Sequence, residues 1–232
     1  MYQCFNIWKK EKNMIKGIIF DLDGTLADTV DDIGDAVNMM LAARGFPTLE
    51  RETHIANIGN GAYTLICRSL PQAYAGDGSF VRECLEEFKE YYSCNYMNKS
   101  RAFEGVREAL LTLREKDIAL SVLSNKPDDY VQRMIPVIFP DIAFDYVQGQ
   151  GALQVKPDPT AALEIAKGMG LKPDTVAFVG DSDVDMITAK NAGMKAVGVC
   201  WGYRPSEVLL SLGAELLCRE ASDIAAIPER LN

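Results

Sequence analysis

Four aspartates in two short segments are the residues of this chain best suited to hold a metal ion. Asp21 and Asp23 lie two residues apart, and Asp181 and Asp185 lie four residues apart. Clustered carboxylates raise one another's pKa unless a positive charge intervenes, and Lys156 is the one cation that we expect beside them. A hard divalent cation would balance the remaining charge. Mg²⁺ is such a cation, because it is commonly bound by one or two carboxylates together with waters and the phosphate oxygens of a substrate. The pattern therefore predicts Mg²⁺-assisted chemistry on a phosphoryl group.

Polar residues follow each of the apolar runs that precede the motifs. The first run leads into Asp21-Leu-Asp-Gly-Thr, the second into Ser124-Asn125, and a later loop reaches Lys156-Pro. In an open parallel sheet, ligands bind outside the carboxyl ends of the strands. Separate strand ends are therefore expected to deliver their polar groups to one edge of the sheet.

The spacing of the acids indicates which side chains share a face. Asp21 and Asp23 lie on an extended segment, so both side chains can point to the same side. Asp181 and Asp185 lie four apart across a helix start and are expected on one face, whereas Asp183 is expected to face away.

Each motif also has a simpler reading. An Asp-x-Asp-Gly segment such as that beginning at Asp21 commonly forms a solvated turn. Ser124-Asn125 is also typical of a strand-to-helix cap, and Asp185 suits a structural acid near a helix start. Lys156 taken alone reads as a surface lysine. Only the four segments together favour a functional site.

The elements that must position these residues follow from the apolar patterning. Continuous apolar runs are typical of strands covered on both faces, as in parallel sheets. Helix-length amphipathic segments lie between the later runs, which predicts a doubly wound, mainly parallel, Rossmann-like α/β core. The predicted strands are Ile15–Phe20, Ile118–Leu123, Phe144–Val147, Val176–Val179 and Ala196–Val199, and the helices between them are Val106–Glu115, Asp128–Ile138, Thr160–Met169 and Asp185–Asn191.

A long insertion separates the first predicted strand from the helix that leads to the second. It contains no strand-like run but has helical patches at Val30–Arg44, Ala62–Leu70 and Phe80–Tyr92. An ordinary crossover needs only about a dozen residues, so the surplus predicts an inserted all-helical domain. The expected organisation is a flexible leader at 1–13, an α/β catalytic core at 14–26 and 102–232, and a helical cap domain at 27–101.

Composition excludes several classes of function. The 24 basic residues against 33 acidic ones give a net charge of −9, and binding to nucleic acid requires a basic face. No run of about 18 apolar residues is present, so no membrane span is expected. The six cysteines include no C-x-x-C pair, which disfavours a zinc or thioredoxin-like site. We expect a cytoplasmic protein with a small phosphorylated metabolite as its partner, and the sequence leaves monomer and homodimer open.

As a set, the four motifs resemble those of the haloacid dehalogenase-like phosphatase superfamily. They are Asp21-Leu-Asp-Gly-Thr-Leu, the apolar run into Ser124-Asn, Lys156-Pro, and Gly180-Asp-Ser-x-x-Asp. Two further segments are similar to the phosphoglycolate phosphatase subfamily of that superfamily. These are Ile58-Gly-Asn-Gly with the helix that follows it, and Gly198-Val-Cys-Trp-Gly-Tyr-Arg-Pro. The insertion then resembles the helical cap of the superfamily.

The resemblance implies a role for each matching residue. It implies that Asp21 is the nucleophile that forms an aspartyl-phosphate and that Asp23 is the general acid and base. Ser124, and the backbone amide of Asn125, would bind phosphoryl oxygens, while Lys156 would offset charge. Mg²⁺ would be held by Asp21, the Asp23 carbonyl and Asp181, with Asp185 as a further ligand or as a partner of the ligands.

Residues of the insertion allow two readings. Gly59, Asn60 and Gly61 form either a tight turn between helices or a substrate entrance lined by backbone amides. Arg68, like Arg204, is either a surface residue or a clamp for a substrate carboxylate. His54 is the only histidine of the chain and is expected on the surface of the cap.

The expected activity is hydrolysis of a small phosphomonoester, with 2-phosphoglycolate as the lead substrate by resemblance alone. A pyrophosphatase, a nucleotide or sugar-phosphate phosphatase and a phosphomutase remain alternatives on the same fold. A phospho-ligand binding or regulatory protein is the alternative from outside the enzymes, although no acid of the four motifs is missing.

Overall fold

The computed structural model describes residues 14–231, so the leader predicted at 1–13 lies outside the described residues. The chain forms two compact units. Residues up to Leu26 and from Ala102 onward form the first unit, and Ala27–Arg101 form the second. Among the residues described, no helix has both the length and the apolar character needed to cross a bilayer.

The first unit is built on a six-stranded parallel sheet, which confirms the predicted α/β class. The strand order is β5-β4-β1-β6-β7-β8, and every described pairing is parallel. A separate two-stranded sheet consists of β2 and β3. The strands are β1 (Gly17–Phe20), β2 (Ala27–Asp28), β3 (Arg101–Ala102), β4 (Ala119–Pro127), β5 (Tyr146–Gln150), β6 (Val176–Gly180), β7 (Lys195–Val199) and β8 (Leu216–Cys218).

Several strands differ from the sequence prediction. β1 starts at Gly17 rather than at Ile15, and the two-residue strands β2 and β3 lie at the ends of the insertion, where no strand was predicted. β4 continues to Pro127, so Ser124 and Asn125 lie within the strand rather than after it. β5 starts at Tyr146, two residues later than predicted, and runs to Gln150; the ring of Phe144 packs against Phe139 before the strand begins. The three-residue edge strand β8 was not predicted, since so short a run carries no periodicity to recognise.

Helices cover the parallel sheet, whose central strands are buried along their whole length. In the first unit the α-helices are Val106–Glu115, Asp128–Ile138, Thr160–Gly168, Asp183–Ala192, Ser206–Ser211 and Ile227–Arg230, with 3₁₀ turns at Pro173–Thr175 and Ala221–Ala226.

The second unit is helical apart from its short strands. Its α-helices are Val30–Ala43, Arg51–Asn57, Ala62–Ser69, Gln72–Ala75 and Gly78–Asn95. The side chain of Asp32 ties the two ends of this unit together, because it accepts hydrogen bonds from the backbone N–H groups of Lys99 and Ser100 and from the Ser100 hydroxyl. Arg44 links the two long helices through a bidentate pair with Glu87, at 3.0 and 2.8 Å.

His54 lies in the interior of the second unit, so the prediction of a surface residue is wrong. Its side chain packs against Gly34, where a Cβ atom would approach His54 Cδ2 to 2.7 Å. The helix Val30–Ala43 can therefore sit directly on the imidazole only because residue 34 has no side chain. Burial lowers the pKa of His54, so the ring favours its neutral form.

Candidate active site

The register of the central strands brings the motifs to one edge of the sheet. Phe20 of β1 is the partner of Val122 in β4 and of Val179 in β6. Asp21 follows Phe20 directly and donates its backbone N–H to the Val179 carbonyl at 2.9 Å. Ser124 lies two residues beyond Val122 within β4, and Asp181 lies two residues beyond Val179, directly after the end of β6. The carboxyl ends of β1, β4 and β6 therefore meet.

Lys156 joins two of the aspartates. Its Nζ atom lies 2.9 Å from Asp21 Oδ1 and 2.7 Å from Asp185 Oδ1. The lysine is only 4% exposed, so solvent does little to weaken either attraction. Burial alone would lower the pKa of Lys156, but the carboxylates of Asp185 and Asp21 outweigh it and hold the pKa above its usual value. Lys156 is therefore a permanent positive charge beneath Asp21.

The side chain of Asn125 fixes the segment that carries this lysine. Asn125 Nδ2 donates to the Lys156 carbonyl at 3.0 Å, and Asn125 Oδ1 accepts from the Lys156 backbone N–H at 2.8 Å. Both hydrogen bonds are buried, and they join residues that are 31 positions apart in the chain. The end of β4 therefore positions Lys156, which is a function of Asn125 that the sequence did not indicate.

Asp181 is held by residues on both sides of the site. Its Oδ1 accepts a hydrogen bond from Thr25 Oγ1 at 3.0 Å, and its Oδ2 accepts one from the Tyr203 backbone N–H at 2.7 Å. Gly24 has a φ of 86°, and a Cβ atom there would lie 2.5 Å from Asp181 Oδ2; at Gly202 it would lie 2.1 Å from Asp181 Cβ. Two glycines thus allow the backbone to close tightly around one carboxylate.

Asp185 belongs to the start of the helix Asp183–Ala192. Ser182 and Asp185 form a capping box, in which Ser182 Oγ donates to Asp185 Oδ2 at 2.6 Å. The other oxygen of Asp185 contacts Lys156. Asp183 points away and remains 45% exposed in its side chain, 3.7 Å from the Arg204 guanidinium.

Asp21, Asp181 and Asp185 form a set of donors suited to a cation. One carboxylate oxygen from each lies within 4.8 Å of the others, and all three residues are buried. Three oxygen donors of this kind fit Mg²⁺, which is commonly bound by a few carboxylates and completes its shell with water and phosphate oxygens.

The electrostatics of the three acids favour such a cation. Burial raises the pKa of Asp21 well above its usual range, against the opposing charge of Lys156. Burial, and after it the Asp185 carboxylate, raises the pKa of Asp181 to about 7. Burial therefore disfavours the charged forms of both acids, and a bound cation would favour the ionised carboxylates that can ligate it.

Asp23 lies apart from this donor set. Its Oδ1 accepts a hydrogen bond of 2.8 Å from Lys126 Nζ, and the two side chains are 13% and 5% exposed. The expectation that Lys156 is the one cation beside the acids is therefore wrong. Lys126 follows Ser124 and Asn125 directly in the sequence, so its position at a strand end was the signal that could have indicated it.

The remaining predicted residues fall in both units. Ser124 is buried at the end of β4, where its Oγ accepts the Lys126 backbone N–H at 3.2 Å. Gly59, Asn60 and Gly61 belong to the second unit, and both glycines have positive φ, at 121° and 82°. Within that unit, Arg68 Nη1 donates to Asn60 Oδ1 at 2.9 Å.

We expect Gly202→Ala to weaken Mg²⁺ binding by about 10- to 100-fold, the usual cost of disturbing residues that orient metal ligands. The new methyl group would overlap the Asp181 side chain and force either the carboxylate or its loop to move. Isothermal titration calorimetry with Mg²⁺ measures this change. Gly151→Ala is the matched control, because no atom lies within 4 Å of its Cβ position. Equal Mg²⁺ affinities of the two variants would contradict the role of the close contact between Gly202 and the Asp181 side chain.

Comparison with known proteins identifies the family. A family model for the haloacid dehalogenase-like hydrolases matches residues 18–199, a span that includes every aspartate and lysine described above. The chain belongs to the haloacid dehalogenase-like hydrolases. The resemblance inferred from its motifs is thereby confirmed.

Named relatives and a solved structure agree with this assignment. The hydrolase is 38% identical over 194 residues to a phosphoglycolate phosphatase of Haemophilus influenzae, which covers 81% of this chain and 87% of that protein. It is 34% identical over 221 residues to a phosphoglycolate phosphatase of Mannheimia succiniciproducens, with 93% and 99% covered. The crystal structure of a predicted phosphoglycolate phosphatase from Haemophilus somnus matches with a TM-score of 0.84 at 30% identity, and 92% and 97% of the two chains are covered.

Proposed function

We propose that this haloacid dehalogenase-like hydrolase is a Mg²⁺-dependent phosphatase that hydrolyses a small phosphomonoester through an aspartyl-phosphate. The observation that carries the proposal is the convergence of Asp21, Asp181 and Asp185 within 4.8 Å of one another, with Lys156 Nζ 2.9 Å from Asp21. A nucleophilic carboxylate beside a fixed cation and a set of oxygen donors meets the main requirement of phosphoryl transfer, which is positioning and neutralisation of charge.

In the first step, a carboxylate oxygen of Asp21 forms a bond to phosphorus, and the bond between phosphorus and the leaving oxygen breaks. Asp23 donates a proton to that leaving oxygen. In the second step, water attacks phosphorus while Asp23 takes its proton, and the bond from phosphorus to Asp21 breaks. Phosphate leaves, and both carboxyl groups return to their starting states.

The other residues stabilise charge during both steps. Lys156 stays protonated beside Asp21 and offsets the negative charge that develops on the phosphoryl oxygens. Ser124, with the Asn125 backbone amide, is proposed to bind these oxygens. Mg²⁺, held by Asp21, Asp181 and the Asp23 carbonyl, would supply further charge neutralisation. Of the three acids in the donor set, we assign Asp21 and Asp181 to Mg²⁺. We assign Asp185 to Lys156 and to the helix start, because both of its oxygens already have these partners.

The proposed substrate is 2-phosphoglycolate, as the names of the relatives suggest. A panel of phosphate esters with colorimetric detection of phosphate tests this choice. If sugar phosphates, nucleotides or pyrophosphate are hydrolysed much faster, the substrate assignment fails while the phosphatase chemistry stands. If no ester releases phosphate above the background of Asp21→Asn, the chain is a phospho-ligand binding protein instead.

The division into domains remains part of the proposal. We propose that 14–26 and 102–232 form the catalytic core and that 27–101 act as a cap that excludes water during turnover. The division of the chain into two compact units with a boundary after Leu26 supports this assignment. We also propose that Gly59, Asn60 and Gly61 bind substrate from the cap. A cytoplasmic location and the absence of a nucleic-acid partner stay predictions that rest on composition.

Removal of the metal ion is expected to reduce phosphate release by at least about 10²-fold, because the donor set then lacks the charge that the phosphoryl group needs. Treatment with EDTA followed by addition of Mg²⁺ measures the loss and its recovery. Mg²⁺ is also expected to raise the melting temperature of the wild type, since a ligand that binds only the folded state stabilises it. Asp181→Asn should abolish that shift. Full activity in EDTA would contradict the proposal.

A further inference from the structure

We propose that Lys126 is a positioning residue for Asp23, which orients the Asp23 carboxylate toward the leaving group and keeps it out of the metal-binding set. This inference rests on the role of Asp23 under the proposed function. Its structural basis is a buried ion pair in which Lys126 Nζ lies 2.8 Å from Asp23 Oδ1. The two residues are 103 positions apart in the chain.

The acids of the site are divided between two lysines. Lys156 contacts Asp21 and Asp185, both of which belong to the donor set of three. Lys126 contacts Asp23, which does not belong to that set. Asp21 and Asp23 are only two residues apart, so a local rotation would be enough to bring both carboxylates toward the same cation. The ion pair with Lys126 opposes that rotation.

Lys126 is itself held firmly enough to act in this way. Its backbone N–H donates to Ser124 Oγ at 3.2 Å. Its carbonyl packs against Gly149 of β5, where a Cβ atom would lie only 2.6 Å from the Lys126 oxygen. The side chain is 5% exposed, so it cannot sample the many conformations of a surface lysine. The lysine therefore offers Asp23 Oδ1 one fixed hydrogen-bond donor, and we assign to the other Asp23 oxygen the proton that this residue transfers.

Stability alone is a weak explanation for this pair. Burying two charges costs much of what their attraction returns, and well-packed apolar residues of similar size are often as stable or more so. The end of β4 also carries two neighbouring residues with complementary contacts, since Asn125 binds the backbone of Lys156 while Lys126 binds Asp23. The same strand end thus positions the groups on both sides of the site.

The dependence of the rate on the leaving group tests the proposal. Protonation by Asp23 matters most for an alkoxide leaving group and least for p-nitrophenolate, which leaves readily as an anion. We expect Lys126→Met to lower kcat on 2-phosphoglycolate by about 10- to 100-fold, within the range that a general acid contributes. The loss on p-nitrophenyl phosphate should be about threefold or less. Lys126→Arg, which keeps the charge, should recover most of the activity.

A double-mutant cycle separates this role from a general effect of charge. If Lys126 acts through Asp23, the double variant of Lys126→Met and Asp23→Asn should be no slower than Asp23→Asn alone, because residues that act as a unit have non-additive effects. Equal losses on both esters, or losses that multiply in the double variant, would overturn the proposal. Lys195→Met is the control for loss of a lysine paired with a carboxylate at the surface.

A crystal structure of Lys126→Met provides a readout that does not depend on turnover. We expect the Asp23 carboxylate to leave the position that it has in the wild type; an unmoved carboxylate would overturn the proposal. Failure of the proposed function is recognised separately. If Asp21→Asn retains activity, the assignment of Asp21 as the nucleophile is wrong. If Asp23→Asn lowers the rate equally on both esters, Asp23 is not the general acid, and the proposed role of Lys126 is then wrong as well.

Discussion

Asp21→Asn is expected to slow phosphate release by about 10⁴-fold or more, the largest effect that we predict for a single substitution. The amide keeps the size of the side chain but cannot form the aspartyl-phosphate, so the remaining residues only bind the substrate. The fold should not suffer, because Lys156 keeps its pair with Asp185 at 2.7 Å and the substitution also removes the repulsion between Asp21 and three other carboxylates. Single-turnover phosphate release and thermal melting, measured on one preparation, test both expectations.

Asp183→Asn is the matched control for this experiment. It makes the same chemical change at the same edge of the sheet, but the Asp183 side chain is 45% exposed and points away from the donor set. Its activity should remain close to that of the wild type. If Asp21→Asn and Asp183→Asn lose the same small fraction of activity, Asp21 is not the nucleophile and a different group must attack phosphorus.

Lys156→Met is expected to lower stability as well as activity. It removes the ammonium group between two buried carboxylates, and loss of one partner of a buried ion pair typically costs about 3–5 kcal/mol. Urea unfolding in EDTA measures the free energy of unfolding without compensation by a metal ion. The rate of phosphate release should fall by about 10²- to 10³-fold with Mg²⁺ present, because the phosphoryl group loses its fixed cation.

Two further variants make this prediction specific. Addition of Asp185→Asn to Lys156→Met should restore part of the lost stability, since one of the two uncompensated charges disappears, but it should not restore activity. Lys195→Met removes a lysine that is 34% exposed and pairs with Glu215 at 2.7 Å, where the expected cost is below about 1 kcal/mol. If Lys156→Met and Lys195→Met have equal free energies of unfolding, the buried ion pairs of Lys156 do not contribute to the stability of the fold.

The position of the motifs follows from the sequence. Buried parallel strands read as continuous apolar runs, so the residue that follows each run can be placed at the carboxyl edge without knowledge of the fold. Asp21 and Asp181 were assigned to one edge in this way, and the register of β1 with β6 places them there. The family could also be recognised from the sequence, because each of its four motifs is a short local segment and the four occur in order.

The partners of each charged group were decided only by the tertiary structure. Lys126 and Asp23 are 103 residues apart, and the Asn125 side chain binds a backbone segment 31 residues away. Such contacts depend on strand register and on side-chain rotamers, which no local pattern specifies. Likewise, the sequence indicated Gly202 only as part of a segment similar to the phosphoglycolate phosphatase subfamily, although its missing side chain is what allows the Asp181 carboxylate to be enclosed.

The sequence by itself thus determined which strand ends carry the acidic motifs to this edge of the sheet, because strand ends are encoded by local apolar patterning. It did not determine that the acids divide between Lys156 and Lys126, or that His54 is buried against Gly34. Those arrangements arise from close packing between segments that are distant in the chain, where the loss or gain of a single Cβ decides whether two groups can touch.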